Sequence, residues 1–205
     1  MAIELSIIGL TGGIATGKST FVAILQRLLP ECVVFDADAC VHALYHHENI
    51  KDELVLNFGA QVVGSDGEVD RRKMREYVFE NPEAKTVLED IFHPRVRQEC
   101  LALLEKTVKK ASSRLFVADI PLLFENGFDF GQSVNALVAT SGPTQVERLK
   151  NRSAWSDTTV QSVIAAQMPL KKKIIFADIV FWNEGPIRVL ESQCERYLCS
   201  LGLMP

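Results

Sequence analysis

The sequence predicts an α/β protein in which five parallel strands form one sheet flanked by helices. Short apolar runs alternate with segments whose apolar residues recur at helical spacing, as in successive βαβ units. A glycine-rich turn separates the first apolar run from the first helical segment. The chain has 205 residues, of which 47% are hydrophobic and 23% charged. It is therefore long enough for one such domain with one or two small insertions.

The turn after the first strand has the sequence Gly12-x-x-x-x-Gly17-Lys18-Ser19. Its glycines let the backbone curl so that successive N–H groups point into one concavity, to which the next helix adds its positive N-terminal end. This hollow fits a polyphosphate, with Lys18 reaching the β- and γ-phosphates and the Ser19 hydroxyl binding a bridging Mg²⁺. The alternative is a glycine turn that merely caps an ordinary helix. The apolar runs on both sides of the turn favour the phosphate loop and a P-loop NTPase-type sheet.

A second apolar run, residues 32–36, ends in Asp36, and the helix that follows contains Asp38. Ligands bind at the carboxyl ends of the strands in open parallel sheets, so both carboxylates are candidates for the site. Asp38 has an ordinary alternative role as a helix N-cap, whose carboxylate accepts a backbone N–H. The two roles are compatible, and the sequence leaves the choice between them open.

The pattern from residue 39 to residue 113 is mainly helical, without a strand of convincing length. One crossover between two strands needs much less helix, so an inserted helical subdomain is expected here. The segment contains a basic cluster, Asp70-Arg71-Arg72-Lys73-Met74-Arg75. A solvated helix face is the usual interpretation of such a run, and contact with an anionic ligand is the alternative.

The third and fourth strands also lead to charged residues. The third strand, in the apolar run 115–121, brings the carboxylate of Asp119 to the phosphate end of the sheet. The fourth strand, 136–140, precedes a helix that carries Arg148 and Arg152 on one face. Two like charges at this spacing repel each other unless an anion lies between them. A phosphate partner is therefore favoured over an exposed, solvated pair.

The helical hairpin at 151–173 separates the fourth strand from the fifth and predicts a lid. Ser156 caps its main helix, and the helix stops at Pro169. The fifth strand, 177–182, leads through a turn to a closing amphipathic helix at 186–201.

Charge and cysteine content limit the possible partners and compartment. The net charge is -4, so no overall positive field attracts nucleic acid or an anionic membrane. The five cysteines are odd in number and lack a C-x-x-C pair, and the histidines are not grouped as metal ligands. Glu4 stands where a signal peptide would carry positive charge, and no apolar run approaches the ~18 residues that span a bilayer. We expect a cytoplasmic protein without a nucleic-acid, membrane or obligatory protein partner.

A series of short motifs extends in a distinctive order over almost the entire chain: Thr11-Gly-Gly-Ile-Ala-Thr-Gly-Lys-Ser-Thr20, Phe35-Asp-Ala-Asp38, Asp70-Arg71 with Val78-Phe79, His93-Pro94, Ile120-Pro-Leu-Leu-Phe-Glu125, Gln145-x-x-Arg148-x-x-x-Arg152, Ala165-Ala-Gln-Met-Pro169, and Ala177-Asp178 with Asn183-x-Gly185. Together they resemble the dephospho-CoA kinase family. The resemblance implies transfer of the ATP γ-phosphoryl group to the ribose 3′-hydroxyl of dephospho-CoA, the last step of coenzyme A biosynthesis. The co-substrate is then ATP with Mg²⁺, and the partner is the small molecule dephospho-CoA.

The resemblance also implies the residues of the site. The catalytic residues would be Lys18, Asp38 beside the acceptor hydroxyl and Arg148 from the lid. Contacts to ATP would come from Gly13, Ile14, Ala15, Thr16, Gly17, Lys18, Ser19, Thr20, Arg152 and Asn183. Contacts to the acceptor would come from Thr11, Asp36, Asp70, Arg71, His93, Pro94, Leu122 and Glu125, and the metal ligands would be Ser19 and Asp119.

The implied body has three parts: a nucleotide-binding core of residues 1–38, 114–150 and 174–205, a helical acceptor-binding subdomain of residues 39–113, and a lid of residues 151–173. Two positions depart from the family's usual pattern. Ser153 follows Arg152 where many relatives have an acid, and Ala15-Thr16 replaces the commoner Gly-Ser. The second change should matter little, because backbone forms the cradle there.

Two rival functions share the phosphate loop but require other residues or another pocket. A regulatory GTPase would need a guanine-reading Asn-Lys-x-Asp and an Asp-x-x-Gly switch, and the sequence contains neither. A kinase for another small hydroxylated acceptor, such as a nucleoside or a sugar acid, would use the same chemistry with a different acceptor pocket. Composition and spacing do not distinguish such a kinase from one that acts on dephospho-CoA, and only the family resemblance favours dephospho-CoA.

Overall fold

The structure is a computed structural model that describes residues 5–110, 113–153 and 155–205. The predicted first strand starts at Ile3, and its first two residues, Ile3 and Glu4, lie outside the described residues. The chain forms two compact units. One unit comprises Met1–Asp36 with Leu103–Pro205, and the other comprises Ala37–Ala102. The three-part division predicted above stays a prediction.

The first unit is built on a sheet of five parallel strands: β1 Ser6–Gly12, β2 Val33–Asp36, β3 Leu115–Asp119, β4 Val134–Ala139 and β5 Ile179–Trp182. Their order in the sheet is β2-β3-β1-β4-β5, and every neighbouring pair is parallel. β1 is central, with Leu10 beside Asp119 of β3 and Gly12 beside Val138 of β4. The prediction of a five-stranded parallel sheet is confirmed.

The described α-helices are α1 Lys18–Leu28, α2 Ala37–Leu44, α3 Glu48–Phe58, α4 Arg71–Glu80, α5 Pro82–Lys110, α6 Gly142–Arg152, α7 Asp157–Ala165, α8 Leu170–Phe176 and α9 Ile187–Ser200, with a 3₁₀ turn at Ala60–Val62. None of these helices is long and apolar enough to cross a membrane, within the stretches that the structure covers.

The core of the first unit fixes α1 and α9 against the sheet. Phe21 and Leu25 of α1 are four residues apart, so both lie on one face, and both are fully buried. Phe21 packs against Phe181 of β5 with ring centroids 4.4 Å apart. Leu190 and Cys194 of α9 repeat the same spacing and join this cluster. The burial of α1 holds its N-terminus at the carboxyl end of β1, where the glycine-rich loop lies.

β5 forms one edge of the sheet, and the side chain of Gln193 bonds to part of its unpaired backbone. The Trp182 N–H donates to Oε1 of Gln193 on α9 at 2.9 Å. In return, Nε2 of Gln193 donates to the Trp182 carbonyl oxygen at 3.0 Å. The carboxamide therefore pairs with both backbone groups of this residue.

The second unit is helical, and its longest helix passes through Pro94. Proline lacks an N–H and its ring crowds the preceding turn, so neighbouring carbonyls need other donors. The neighbouring Arg95 donates from its guanidinium to the Ile91 carbonyl and pairs with Glu53 of α3. These contacts fix the Arg95 side chain directly after the His93-Pro94 motif.

Candidate active site

The phosphate loop connects the end of β1 to the start of α1 and contains three special backbone positions. A Cβ on Gly12 would lie 2.6 Å from the Val138 carbonyl oxygen and 2.7 Å from Thr16 Oγ1, so a larger residue does not fit. Gly17 precedes α1 with a φ of 97°, which favours glycine. Ala15 has a φ of 58°, alone among the described non-glycine residues in being positive. The loop therefore has the curled backbone on which an amide cradle depends.

Lys18 and Asp119 meet at the carboxyl edge of the sheet. The Lys18 Nζ lies 3.6 Å from Asp119 Oδ1. Asp119 ends β3 in register with Asp36, which ends β2. Ser19 and Thr20 follow Lys18 in the first turn of α1, the former exposed and the latter half-buried. This edge thus offers a cation, two carboxylates and a hydroxyl, which suit a polyphosphate and a hard metal ion.

Arg148 and Asn183 contact the loop through its carbonyl oxygens. Arg148 Nη1 donates to Ala15 and Thr16, each at 3.3 Å, and Nη2 donates to the Asn183 carbonyl at 3.0 Å. The Asn183 side chain donates to the Thr16 carbonyl at 2.8 Å. Arg152, the last residue of α6, is exposed. The predicted catalytic residue Arg148 and the predicted ATP contact Asn183 are therefore held at the loop, and an anion between the two arginines stays a prediction.

Sequence reasoning missed Glu184, which joins two turns of the site. Its carboxylate accepts hydrogen bonds from the Thr140 hydroxyl at 2.6 Å, from the Ser141 N–H at 3.0 Å and from the Thr144 hydroxyl. The hydroxyls of Thr140 and Thr144 and the Ser141 amide lower the pKa of Glu184 to about 2. Glu184 follows Asn183 directly, so these bonds hold the Asn183 turn against the turn after β4. The only sequence signal was an acid inside the Asn-x-Gly motif.

Glu125 is engaged with a buried lysine. Lys173 of α8 is 1% exposed, and its Nζ lies 2.8 Å from Glu125 Oε1. Lys173 also donates to the Pro121 carbonyl at 3.1 Å, and the Met168 N–H donates to Glu125 Oε1 at 3.0 Å. These bonds tie the segment around α8 to the turn that follows β3. Lys173 was not singled out from its two lysine neighbours in the sequence.

Two further residues predicted to contact the acceptor lie in or beside this turn. Thr11 of β1 is fully buried, and its hydroxyl donates to the Pro121 carbonyl at 2.9 Å. Leu122 is half-buried. The hydroxyl of Thr11 is therefore used within the protein.

In the second unit, Asp70 caps α4. Its carboxylate accepts from the backbone N–H groups of Arg72 and Lys73 at 2.8 and 3.2 Å. These backbone hydrogen bonds, the Lys73 bond foremost, lower the pKa of Asp70. The Arg71 guanidinium lies over the Tyr45 ring, 5.7 Å from its centroid. The basic cluster is therefore partly engaged with its own unit and is more than a solvated face.

The position of Asp38 corrects one interpretation. α2 begins at Ala37, so Asp38 lies in the first helical turn, and its interpretation as the N-cap is wrong. A carboxylate in a first turn is instead stabilised by the helix dipole, which is typically worth ~0.3–1 kcal/mol. His93 is half-buried and Pro94 is exposed, and both lie inside α5.

The chain is similar to proteins of known family. A family model described as Dephospho-CoA kinase matches residues 6–188. The dephospho-CoA kinase of Geobacillus kaustophilus is 39% identical over 180 residues, which are 87% of this chain and 88% of the relative. The solved structure of TT1252 from Thermus thermophilus matches with a TM-score of 0.80 at 35% identity, over 97% of this chain and 98% of that one. A dephospho-CoA kinase from Campylobacter jejuni shares the fold with a TM-score of 0.70 at 24% identity, over 95% and 96%.

Proposed function

This chain belongs to the dephospho-CoA kinase family, and from that premise we propose that it transfers the γ-phosphoryl group of ATP to the ribose 3′-hydroxyl of dephospho-CoA. The family makes it an ATP-dependent kinase that converts dephospho-CoA to coenzyme A. The observation that carries the nucleotide half of the proposal is the curled loop of residues 12–17 with Lys18 beside Asp119. The choice of the 3′-hydroxyl rests on the family resemblance.

ATP would lie with its phosphates against Gly13, Ile14, Ala15, Thr16, Gly17, Lys18, Ser19 and Thr20, and with Arg152 and Asn183 at its periphery. Phosphoryl transfer is catalysed mostly by positioning and by neutralisation of charge. Lys18 and Arg148 would therefore stabilise the equatorial oxygens of the transferring group. Arg148 donates to the Ala15 and Thr16 carbonyls, and this role requires its guanidinium to turn from them toward the phosphates.

Ser19 and Asp119 would bind Mg²⁺. A hydroxyl and a carboxylate are oxygen ligands of the kind that Mg²⁺ prefers, and such sites use one or two protein ligands with substrate phosphates. When bound, the ion neutralises charge on the phosphates. Lys18 Nζ lies 3.6 Å from Asp119 Oδ1, so the cation and this carboxylate meet at the same end of the sheet.

Asp38 would orient the acceptor hydroxyl and accept its proton. Its neighbour two positions earlier, Asp36, ends β2 beside Asp119 and would contact the acceptor ribose or a metal-bound water. The remaining acceptor contacts would come from Thr11, Asp70, Arg71, His93, Pro94, Leu122 and Glu125. Arg71 and the other cations of the basic cluster supply the positive charge that an anionic acceptor needs.

The segment 151–173 would act as a lid that excludes water, which otherwise competes with the acceptor for the phosphoryl group. The five cysteines are free thiols, as expected for a reducing compartment, and we assign the enzyme to the cytoplasm. No nucleic-acid, membrane or obligatory protein partner is part of this proposal.

The test uses two analogues of the acceptor that differ only in which ribose hydroxyl is missing. ADP release is measured with dephospho-CoA, with its 2′-deoxy and 3′-deoxy forms, and with nucleosides and a sugar acid as rival acceptors. We expect turnover of dephospho-CoA and its 2′-deoxy form and none of the 3′-deoxy form. Turnover of the 3′-deoxy form would contradict the assigned hydroxyl, and faster turnover of a rival acceptor would contradict the substrate.

A further inference from the structure

Two glutamines from different parts of the chain hold Ile14 of the phosphate loop. Gln145 of α6 donates from Nε2 to the Ile14 carbonyl oxygen at 2.8 Å. The Ile14 N–H donates to Oε1 of Gln167, just after α7, at 2.7 Å. Gln145 is buried, and Gln167 is half-buried. We propose that Gln145 and Gln167 are positioning residues that orient the loop backbone for the nucleotide.

The orientation follows from the geometry of the peptide bond. In a trans peptide the C=O and the N–H of the next residue point in opposite directions. The Ile14 carbonyl is drawn outward by the α6 glutamine, so the Ala15 N–H is turned to the opposite side. The Thr16 carbonyl is drawn outward by Asn183, which turns the Gly17 N–H in the same manner. Amides fixed in this way before the nucleotide arrives are the donors that a phosphate cradle requires.

Gly13 supports the same proposal. A Cβ at this position would lie 2.9 Å from Gln145 Nε2 and 3.5 Å from Gln167 Oε1. Gly13 does not have a positive φ, so its backbone conformation does not itself require glycine. The missing side chain instead leaves room for the two carboxamides to reach Ile14.

Gln167 is itself held from outside the loop. The next residue, Met168, donates its N–H to Glu125 Oε1, and Glu125 pairs with the buried Lys173. Hydrogen bonds of the adjacent residues Gln167 and Met168 therefore connect the phosphate loop with the turn after β3. The segment predicted to be the lid is thus tied directly to the backbone that faces the phosphates.

The test exploits the opposite roles of the two carboxamides. A carboxylate can still accept from the Ile14 N–H but cannot donate to the Ile14 carbonyl. Gln167→Glu should therefore preserve its contact, whereas Gln145→Glu should lose it. Both changes add one negative charge beside Ile14, so the electrostatic repulsion of a bound anion should be similar in the two variants. Gln161→Glu, at an exposed position of α7, is the control for charge added elsewhere.

The measurement is the dissociation constant of ADP by calorimetry, together with kcat, the KM of each substrate and the melting temperature. We expect Gln145→Glu to bind ADP about 10-fold or more weakly than Gln167→Glu, as follows from leaving a carbonyl without its donor. The KM for dephospho-CoA should change little. Equal ADP affinities of the two variants, or a weaker Gln167→Glu, would overturn the proposal, as would equal increases in both KM values.

A second set of variants applies if Gln145→Glu does not fold. Gly13→Ala should weaken ADP binding in the otherwise unchanged protein but not in the Gln145→Ala background, where the clash at 2.9 Å is gone. An equal effect of Gly13→Ala in both backgrounds would contradict the proposal. The proposal rests on the nucleotide role of the loop given above. Failure of the unchanged protein to bind ADP would contradict that role, whereas unaltered binding by the variants would contradict only the glutamine contacts.

Discussion

The buried pair of Lys173 and Glu125 allows a quantitative prediction of stability. Lys173→Met keeps most of the side-chain volume but removes the charge that Glu125 contacts at 2.8 Å. Glu125 then remains as a carboxylate with 17% of its side chain exposed, next to an apolar thioether. We expect the variant to fold and to be clearly less stable than the unchanged protein.

The magnitude follows from the environment of the two charges. Removing one member of a buried ion pair typically costs ~3–5 kcal/mol, because the other charge loses its compensation. Glu125 is partly exposed and keeps the Met168 N–H as a donor, so the lower end, ~3 kcal/mol, is expected. For a chain of this size, this corresponds to a decrease of about 6–12 °C in melting temperature.

Chemical denaturation and calorimetry measure the loss, with Lys172→Met as the matched control. Lys172 is the exposed neighbour, and its substitution should change stability by no more than about 0.5 kcal/mol. The double variant Lys173→Met with Glu125→Gln should recover most of the loss, since removing both charges leaves neither uncompensated. The reasoning is refuted if Lys173→Met costs no more than Lys172→Met, or if the two single losses simply add.

Three further predictions concern charged residues of the site. Lys18→Ala should fold yet fall roughly 10²-fold or more in kcat, the scale for a charge-stabilising donor, and turnover above about a tenth of the original would contradict its role. Asp38→Asn should leave the melting temperature and ATP affinity nearly unchanged while lowering kcat by roughly 10²–10⁴-fold, as for loss of a general base; if Asp36→Asn abolishes turnover and Asp38→Asn does not, the two roles must be exchanged. Glu184 has its pKa lowered to about 2, so its stabilising contribution is present above the ordinary glutamate pKa of about 4.3 and fades as the pH falls toward 2. Melting temperatures of Glu184→Gln and the unchanged protein should therefore converge between these pH values, and a constant difference from pH 7 to pH 2 would argue against the assignment.

The sheet could be predicted because each of its strands leaves a local signature. Parallel strands are buried on both faces and read as continuous apolar runs, as at 115–121, where the observed β3 starts at the same residue and ends at Asp119. The last strand was predicted two residues too early. Ala177 is the C-cap of α8, and β5 starts at Ile179. Asp178 lies between them and contacts Asn135 of β4 twice, through its backbone N–H at 2.9 Å and through its carboxylate at 2.7 Å.

The contacts that hold the site together are not local, which is why the sequence did not predict them. Gln145 and Gln167 reach Ile14 across 131 and 153 positions of the chain. Lys173 is the last of three adjacent lysines, and it differs from the other two only in lying on the buried side of α8. Glu184 resembles any acid in a turn until the hydroxyls after β4 are brought beside it. The local sequence pattern therefore predicted the phosphate loop, but it did not predict the distant side chains that bond to the loop and to its neighbouring turns.

The pairing of Gln193 with β5 bears on how the protein behaves at high concentration. An open strand edge is a template on which a second chain can add by backbone pairing, and aggregation can start there. At Trp182 both backbone groups that an incoming strand would use are already bonded to a carboxamide. A carboxamide has the polarity of a peptide group but cannot extend the sheet. The exposed indole of Trp182 therefore meets solvent at a border that offers a neighbouring molecule no free hydrogen-bonding position at this residue.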